Sequence, residues 1–288
     1  MRAIDAHQHI WDLRRSRYDW LGPALAPINR TFELDEVLPA QRQAGVTGSV
    51  LVQADDSAED TALMLEAAAQ HPSVVGVVGY VPLERPEAAA QQLAELRRNP
   101  VLVGIRNLIH DQPDPDYLAR PDVDEGLGVL ADADVAFDLV SVLPRHLELL
   151  PGILERHPKL RVVIDHLSKP PIGESDREPW WTLIAEVAQH PQVFAKVSGL
   201  YPGADPMQWS TEDIRPFVDR ALEVFGPDRL MYGGDWPVSV LAGGYTAVWA
   251  GLSPLFEQLA APDRELLLSG TAIRFYRLDP ERLQRAGF

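Results

Sequence analysis

A chain of 288 residues has room for one large core or two smaller ones. Its formal charge of −16 repels phosphate backbones, so nucleic acid is not an expected partner, although a few Arg or Lys in a pocket still leave room for a small anion. With no cysteine, disulfides, thiolate metal sites and thiol nucleophiles are excluded, and any metal must be held by His, Asp or Glu.

The first predicted strand, 3–9, carries His7 and His9 in the run Ala3-Ile4-Asp5-Ala6-His7-Gln8-His9-Ile10. Residues i and i+2 of a strand share a face, so both imidazoles, ~7 Å apart along the chain, project from one side. Two neutral imidazoles so placed can share a divalent metal or grip one polar ligand. A long connection follows, 11–32, with Trp11, Tyr18, Trp20, Gly22, Pro23 and Pro27. Beyond it, short β-branched runs alternate with Ala/Leu-rich stretches of helical period. Strands are expected at 48–53, 74–80, 102–106, 136–140, 161–165, 193–197 and 229–232. Helices are expected at 33–44, 58–70, 86–98, 123–133, 145–156, 179–189, 211–225 and 245–259, then a last helix at 262–269 and a C-terminal tail. Several strands are continuous apolar runs, as expected when both faces are covered.

Eight strand–helix units argue for a single-domain α/β fold, the (β/α)8 TIM barrel. An open doubly wound sheet usually carries a Gly-rich phosphate turn after its first strand; here Trp11-Asp12-Leu13-Arg14 follows instead. In a barrel, 11–32 becomes a loop over the active site. No stretch reaches the ~20 apolar residues of a membrane span. No basic segment followed by an apolar one opens the sequence, so the cytoplasm is the expected location. A homo-oligomer is compatible with the sequence.

Barrel chemistry sits at the C-terminal strand ends. Those ends offer Asp5, His7 and His9; Gln53; Tyr80; Arg106; Asp138; Asp165, His166 and Lys169; Lys196 and Ser198; and Asp235 and Trp236. Buried charges need partners, and one convergent site accounts for them together. Plainer readings stand beside this one. Arg106 also reads as a structural ion-pair partner, Lys196 as a side chain between helices, Asp165 as a group orienting an imidazole, and Gln53 as a loop-capping amide. His71, His157 and His190 each precede a proline at the end of a predicted helix and read as helix-stop residues; His110 and His146 read as loop or helix-start residues.

Several runs carry a family resemblance: Asp5-Ala6-His7-Gln8-His9-Ile10-Trp11, Val50-Leu51-Val52-Gln53-Ala54, Gly104-Ile105-Arg106, Val163-Ile164-Asp165-His166-Leu167-Ser168-Lys169-Pro170, Lys196-Val197-Ser198-Gly199-Leu200 and Gly226-Pro227-Asp228-Arg229-Leu230-Met231-Tyr232-Gly233-Gly234-Asp235-Trp236-Pro237. In this order they resemble the amidohydrolase-2 group of the amidohydrolase superfamily, nearest its sugar-lactonase branch of L-fuconolactonase- and L-rhamnonolactonase-like enzymes. The resemblance implies a (β/α)8 barrel that opens lactone rings, with His7, His9, His166 and Asp235 as the central polar set. It implies room there for a single divalent ion, zinc or similar, while some lactonase relatives work without metal. The two-metal pattern of the superfamily is not met, because strands four and five offer Arg106 and Asp138. Asn107 stands where many relatives have histidine.

Lactone hydrolysis requires a base for water, an oxyanion partner and a proton for the leaving alkoxide. The expected catalytic residues are Asp235 as general base, His166 and Arg106, with the Gly233-Gly234 pair giving backbone and water close approach. Trp11, Gln53, Lys196 and Trp236 are the expected substrate contacts, and a small lactone is the expected partner. Alternatives are a lactonase for a dicarboxylic ring, with Arg106, Lys169 and Lys196 meeting its acid groups, and a metal-dependent decarboxylase of the same superfamily.

Overall fold

The structure is a computed structural model that describes residues 2–202 and 205–288. Eight parallel strands run in sequential order: β1 (Ala3–Gln8), β2 (Val46–Val52), β3 (Val74–Gly79), β4 (Leu102–Asn107), β5 (Ala136–Leu139), β6 (Val162–Ile164), β7 (Val193–Val197) and β8 (Leu230–Tyr232). The helices between them are α1 (Leu38–Ala44), α2 (Ala58–Gln70), α3 (Pro86–Leu96), α4 (Pro121–Asp132), α5 (Pro144–Arg156), α6 (Trp180–Val187), α7 (Thr211–Phe225) and α8 (Tyr245–Glu257). This is the (β/α)8 barrel expected of eight apolar strands with amphipathic helices between them. The expected helix at 33–44 is broken: a single turn at Leu34–Glu36 precedes α1, and Pro39 sits in the first turn of α1, where a missing N–H costs nothing.

The barrel shuts between β8 and β1, just past the end of β8. The Asp235 N–H donates to the His7 carbonyl (2.8 Å) and the His9 N–H to the Trp236 carbonyl (2.7 Å). Gly233 and Gly234 make this approach possible. A Cβ on Gly233 would lie 2.6 Å from the His7 Cβ, and one on Gly234 would lie 2.3 Å from the Tyr245 ring. The pair therefore lets β1 and α8 pack closely against the end of β8, the close approach of backbone that the sequence suggests.

The barrel floor is apolar. Ile4, Ala6, Val50, Val163 and Met231 meet Phe275, Tyr276 and Leu278 in one buried cluster. These last residues correct the expectation of a plain C-terminal tail. The segment forms α9 (Ala261–Glu265), a wide turn at Leu266–Gly270, α10 (Thr271–Tyr276) and α11 (Pro280–Arg285). Its aromatic face plugs the barrel from below. Among the described residues, no helix is long and apolar enough to cross a membrane.

Candidate active site

The site begins with an irregularity in β1. Asp5 pairs with Ser49 and Gln8 with Leu51, so three steps on β1 match two on β2. Such a bulge breaks the in–out alternation. Asp5 consequently faces α8, accepting hydrogen bonds from Tyr245 Oη (3.0 Å) and from the N–H groups of Gly234 and His7. Burial pushes its carboxyl up to about 6. Gln8 turns to Gln41 of α1. His7 and His9 both face the barrel axis, their Nε2 atoms 3.0 Å apart. Asp5 is thus support behind the site.

Each imidazole is anchored from behind. His9 Nδ1 donates to the Val52 carbonyl (2.6 Å), which leaves a lone pair on Nε2. His7 Nδ1 lies 3.1 Å from Asp165 Oδ1 and donates to that carboxylate, again leaving Nε2 as an acceptor. Two acceptor nitrogens at this separation have no proton to share. Asp235 Oδ1 completes the group, 3.6 Å from His9 Nε2 and 3.8 Å from His7 Nε2. Two imidazole nitrogens and a carboxylate oxygen converging in this way fit a divalent ion such as zinc. His166 stands at the edge of the group, its Nε2 4.0 Å from Asp235 Oδ1 and its Nδ1 2.9 Å from Ser198 Oγ.

Electrostatics keep the imidazoles neutral and Asp235 charged. Burial holds His7 and His9 below the usual histidine range and pulls His166 down to about 3. Burial works the other way on Asp235, but its polar neighbours His166, His9, His7 and Lys169 outweigh it and keep the carboxyl well below the usual range. Tyr201 Oη donates to Asp235 Oδ2 at 2.7 Å, leaving Oδ1 to the imidazoles. Asp235 is left-handed (φ 52°), and Gly199 (φ 57°) lies so close that a Cβ there would sit 2.6 Å from His166 Nδ1 and 2.8 Å from Asp235 Oδ2.

After β6 the backbone makes an unusual turn. His166, Leu167, Ser168 and Lys169 are all left-handed, with φ of 55°, 50°, 60° and 48°. Each costs on the order of 1–2 kcal/mol for a residue with a Cβ, and such strain persists only where surroundings over-determine it. Here Trp180 Nε1 donates to the Leu167 carbonyl (2.6 Å), Ser168 Oγ meets Ser141 Oγ (2.8 Å), and the Lys169 N–H bonds the His166 carbonyl (2.9 Å). The turn delivers His166 and Lys169 to one cavity.

That cavity, about 160 Å³, opens at the C-terminal end of the strands. Its polar lining is His9, Arg106, His110, His166, Lys169 and Asp235. Its apolar lining is Trp20, Ala54, Leu108, Val140, Val142 and Val238. A second cavity of about 230 Å³ lies on the outer side of the 11–32 loop against α2, and none of the converging imidazoles lines it.

Residues 4–278 match the family model described as amidohydrolase. The chain belongs to the amidohydrolase family. It is 37% identical over 280 residues to an L-fucono-1,5-lactonase of Burkholderia ambifaria, covering 96% of each chain. It is 34% identical to an L-fucono-1,5-lactonase of Burkholderia multivorans, again covering 96% of each. The crystal structure of an amidohydrolase from Burkholderia multivorans with bound zinc superposes with a TM-score of 0.88 at 32% identity, covering 97% of this chain and 100% of that one.

In this amidohydrolase the expected substrate contacts lie elsewhere than the cavity wall. Lys196 is fully buried beneath the site, paired with Asp138 Oδ2 (2.5 Å) and Asp165 Oδ1 (3.0 Å). Asp138 also accepts from Tyr276 Oη (2.7 Å). Gln53 spends its amide on Asp56 Oδ1 (2.8 Å) and the Arg106 carbonyl (2.9 Å), tying two strand ends together. Trp11 donates to the Arg30 carbonyl (2.6 Å) and packs on Phe32, as does Trp236. Gln53 is thus a capping amide, Trp11 and Trp236 are packing residues, and Lys196 lies inside the barrel and not between helices. Arg106 keeps its place in the cavity while donating to Asp165 Oδ2 (3.0 Å) and the Gln53 carbonyl. Asn107 is bound to the Val81 carbonyl, away from the cavity. Trp20, from the 11–32 loop expected over the site, joins the wall with its Nε1 bonded to the Ala54 carbonyl (2.7 Å); His110, read above as a loop residue, also lines the cavity, and Tyr201, which the sequence reading passed over, stands behind Asp235.

Proposed function

We propose that this amidohydrolase opens the ring of a neutral sugar-derived lactone, of the L-fucono- or L-rhamnono-lactone kind, giving the hydroxy acid. The observation that carries the reading is an ionised carboxylate, Asp235, set against the His9 and His166 imidazoles at the mouth of a cavity sized for one small ring. The similarity to two L-fucono-1,5-lactonases supports the choice of substrate.

Asp235 takes a proton from water as the water oxygen attacks the lactone carbonyl carbon. Ser198 Oγ donates to His166 Nδ1, so His166 presents an Nε2–H to the cavity. That donor and the Arg106 guanidinium stabilise the oxyanion. When the ring C–O bond breaks, the leaving alkoxide takes the proton that Asp235 holds. Asp165 ties the two sides together, since Lys196, His7 and Arg106 overcome its burial and keep it ionised. A divalent ion, when bound on His7, His9 and Asp235, would supply Lewis-acid activation beside the same carbonyl.

The dicarboxylic alternative needs several free cations. Arg106 already holds Asp165 and a backbone carbonyl, and Lys196 is sealed under the site, which favours an uncharged ring. The deciding experiment is a pH-indicator assay over a panel of aldonolactones, with and without chelator. Acid release from L-fucono- or L-rhamnono-lactone is the expected result. A panel with no lactone opened under either condition rejects the proposal.

A further inference from the structure

We infer that Lys169 and His110 form a hydroxyl-binding wall that distinguishes a polyhydroxylated lactone ring from a bare one; the inference rests on the lactonase reading above. Neither residue has a part in the hydrolytic steps, yet both line the same cavity. An ammonium carries three donors. Lys169 Nζ has one hydrogen-bond partner among the described residues, the Gly199 carbonyl at 3.3 Å, and no carboxylate within ion-pair distance. His110 Nδ1 is buried with no hydrogen-bond partner among the described residues, while its Nε2 lies 3.5 Å from Asp111 Oδ1. Buried polar atoms in native proteins are nearly always paired. The unpartnered His110 Nδ1, on one cavity wall with the exposed Lys169 ammonium, marks the place where a ligand supplies the partners.

The chemistry of the pair points to hydroxyl groups. Lys169 has donors for two ring oxygens, and an imidazole both donates and accepts, as a hydroxyl does. Burial holds the His110 imidazole down to about 4, so it meets the ligand uncharged. One free ammonium beside a neutral ring matches vicinal hydroxyls better than two acid groups. Leu108, Val140 and Val142 leave the remainder of the lining apolar, suited to ring carbons or a methyl substituent. The left-handed turn gives the wall its register: Lys169 comes three residues after His166 on the same turn, so recognition and chemistry are placed by one piece of backbone.

The test uses the intact protein with Lys169→Met and His110→Ala, on L-fucono-1,5-lactone and on δ-valerolactone, which has the ester but no hydroxyl. Loss of a charge-assisted hydrogen bond corresponds to roughly 10- to 100-fold in kcat/KM, and loss of a neutral one to roughly tenfold. The ratio of kcat/KM for the sugar lactone over δ-valerolactone is expected to fall by those factors, mainly through KM. A ratio that K169M leaves unchanged overturns the wall. Calorimetric titration with L-fucose, a neutral pyranose with no ester, separates the two proposals. A protein that opens neither lactone sinks the hydrolase reading. Sugar binding that K169M leaves intact, or no binding by the unmodified protein, sinks the wall.

Discussion

Replacing Lys196 by Met tests the buried charge network directly. The ammonium lies between Asp138 (2.5 Å) and Asp165 (3.0 Å), and all three side chains are fully buried. Removing one partner of a buried pair leaves an uncompensated charge, at a cost of roughly 3–5 kcal/mol. At about 2 °C per kcal/mol for a chain of this length, the melting midpoint falls by roughly 5–10 °C. The penalty depends on pH. Burial already pushes the Asp138 carboxyl up to about 6 with the ammonium beside it, and removing the ammonium pushes it higher. A carboxyl whose folded pKa exceeds its unfolded value adds stability at low pH and loses it as pH rises through the folded pKa. K196M is therefore less destabilised at pH 5 than at pH 8, and adding Asp138→Asn restores part of the loss at pH 8. Thermal denaturation followed by circular dichroism at both pH values measures this. An equal midpoint for K196M and wild type at pH 8 would refute the network as described.

Three further outcomes are expected. Asp235→Asn lowers kcat by roughly 10² or more with an unchanged melting midpoint, as for loss of a general base; a near-normal rate removes Asp235 from the mechanism. Gly199→Ala forces a Cβ against His166 and Asp235 at φ 57°, so it loses activity as well as more than ~1 kcal/mol of stability. Gly244→Ala, at φ 90° with open space around it, loses stability alone; similar kcat for the two variants contradicts the contact. Asp60, pushed up to about 7 by burial and bound by Tyr18 Oη (2.6 Å) and the Ala54 N–H (2.9 Å), binds a proton in the folded state that it releases on unfolding between about pH 4 and 7. The Asp60 contribution to stability thus declines across that window as pH rises, and Asp60→Asn removes that contribution; parallel pH–stability curves for the two proteins count against it.

The barrel was legible because parallel strands covered on both faces must be apolar throughout, as at Val50–Val52 and Val162–Ile164. His7 and His9 were legible for the simpler reason that strand parity places them together. Parity failed one step earlier, at Asp5, because a bulge leaves no mark in a single sequence. The cavity wall was harder to read. His110, and Tyr201 behind Asp235, come from loops, and loop side chains meet through the positions of the strands that carry them rather than through any local pattern. Lys196 and Gln53 look like ligand contacts at strand ends, yet both are consumed by neighbours, Asp138 and Asp165 for one, Asp56 and the Arg106 carbonyl for the other. Which polar side chains remain unspent is a property of the assembled barrel. The C-terminal helices were missed beyond residue 269 because α10 and α11 are only six residues each, too short for a clear periodicity.

The seam between β8 and β1 gives the protein a particular order of maturation. The peptide groups of His7, His9, Asp235 and Trp236 shut the cylinder, and side chains of the first three form the converging cluster. Synthesis places more than two hundred residues between the two halves of that cluster. A ribosome-bound chain lacking its eighth strand–helix unit therefore carries the imidazoles without their carboxylate, and the cluster is completed in the same event that completes the ring of strands.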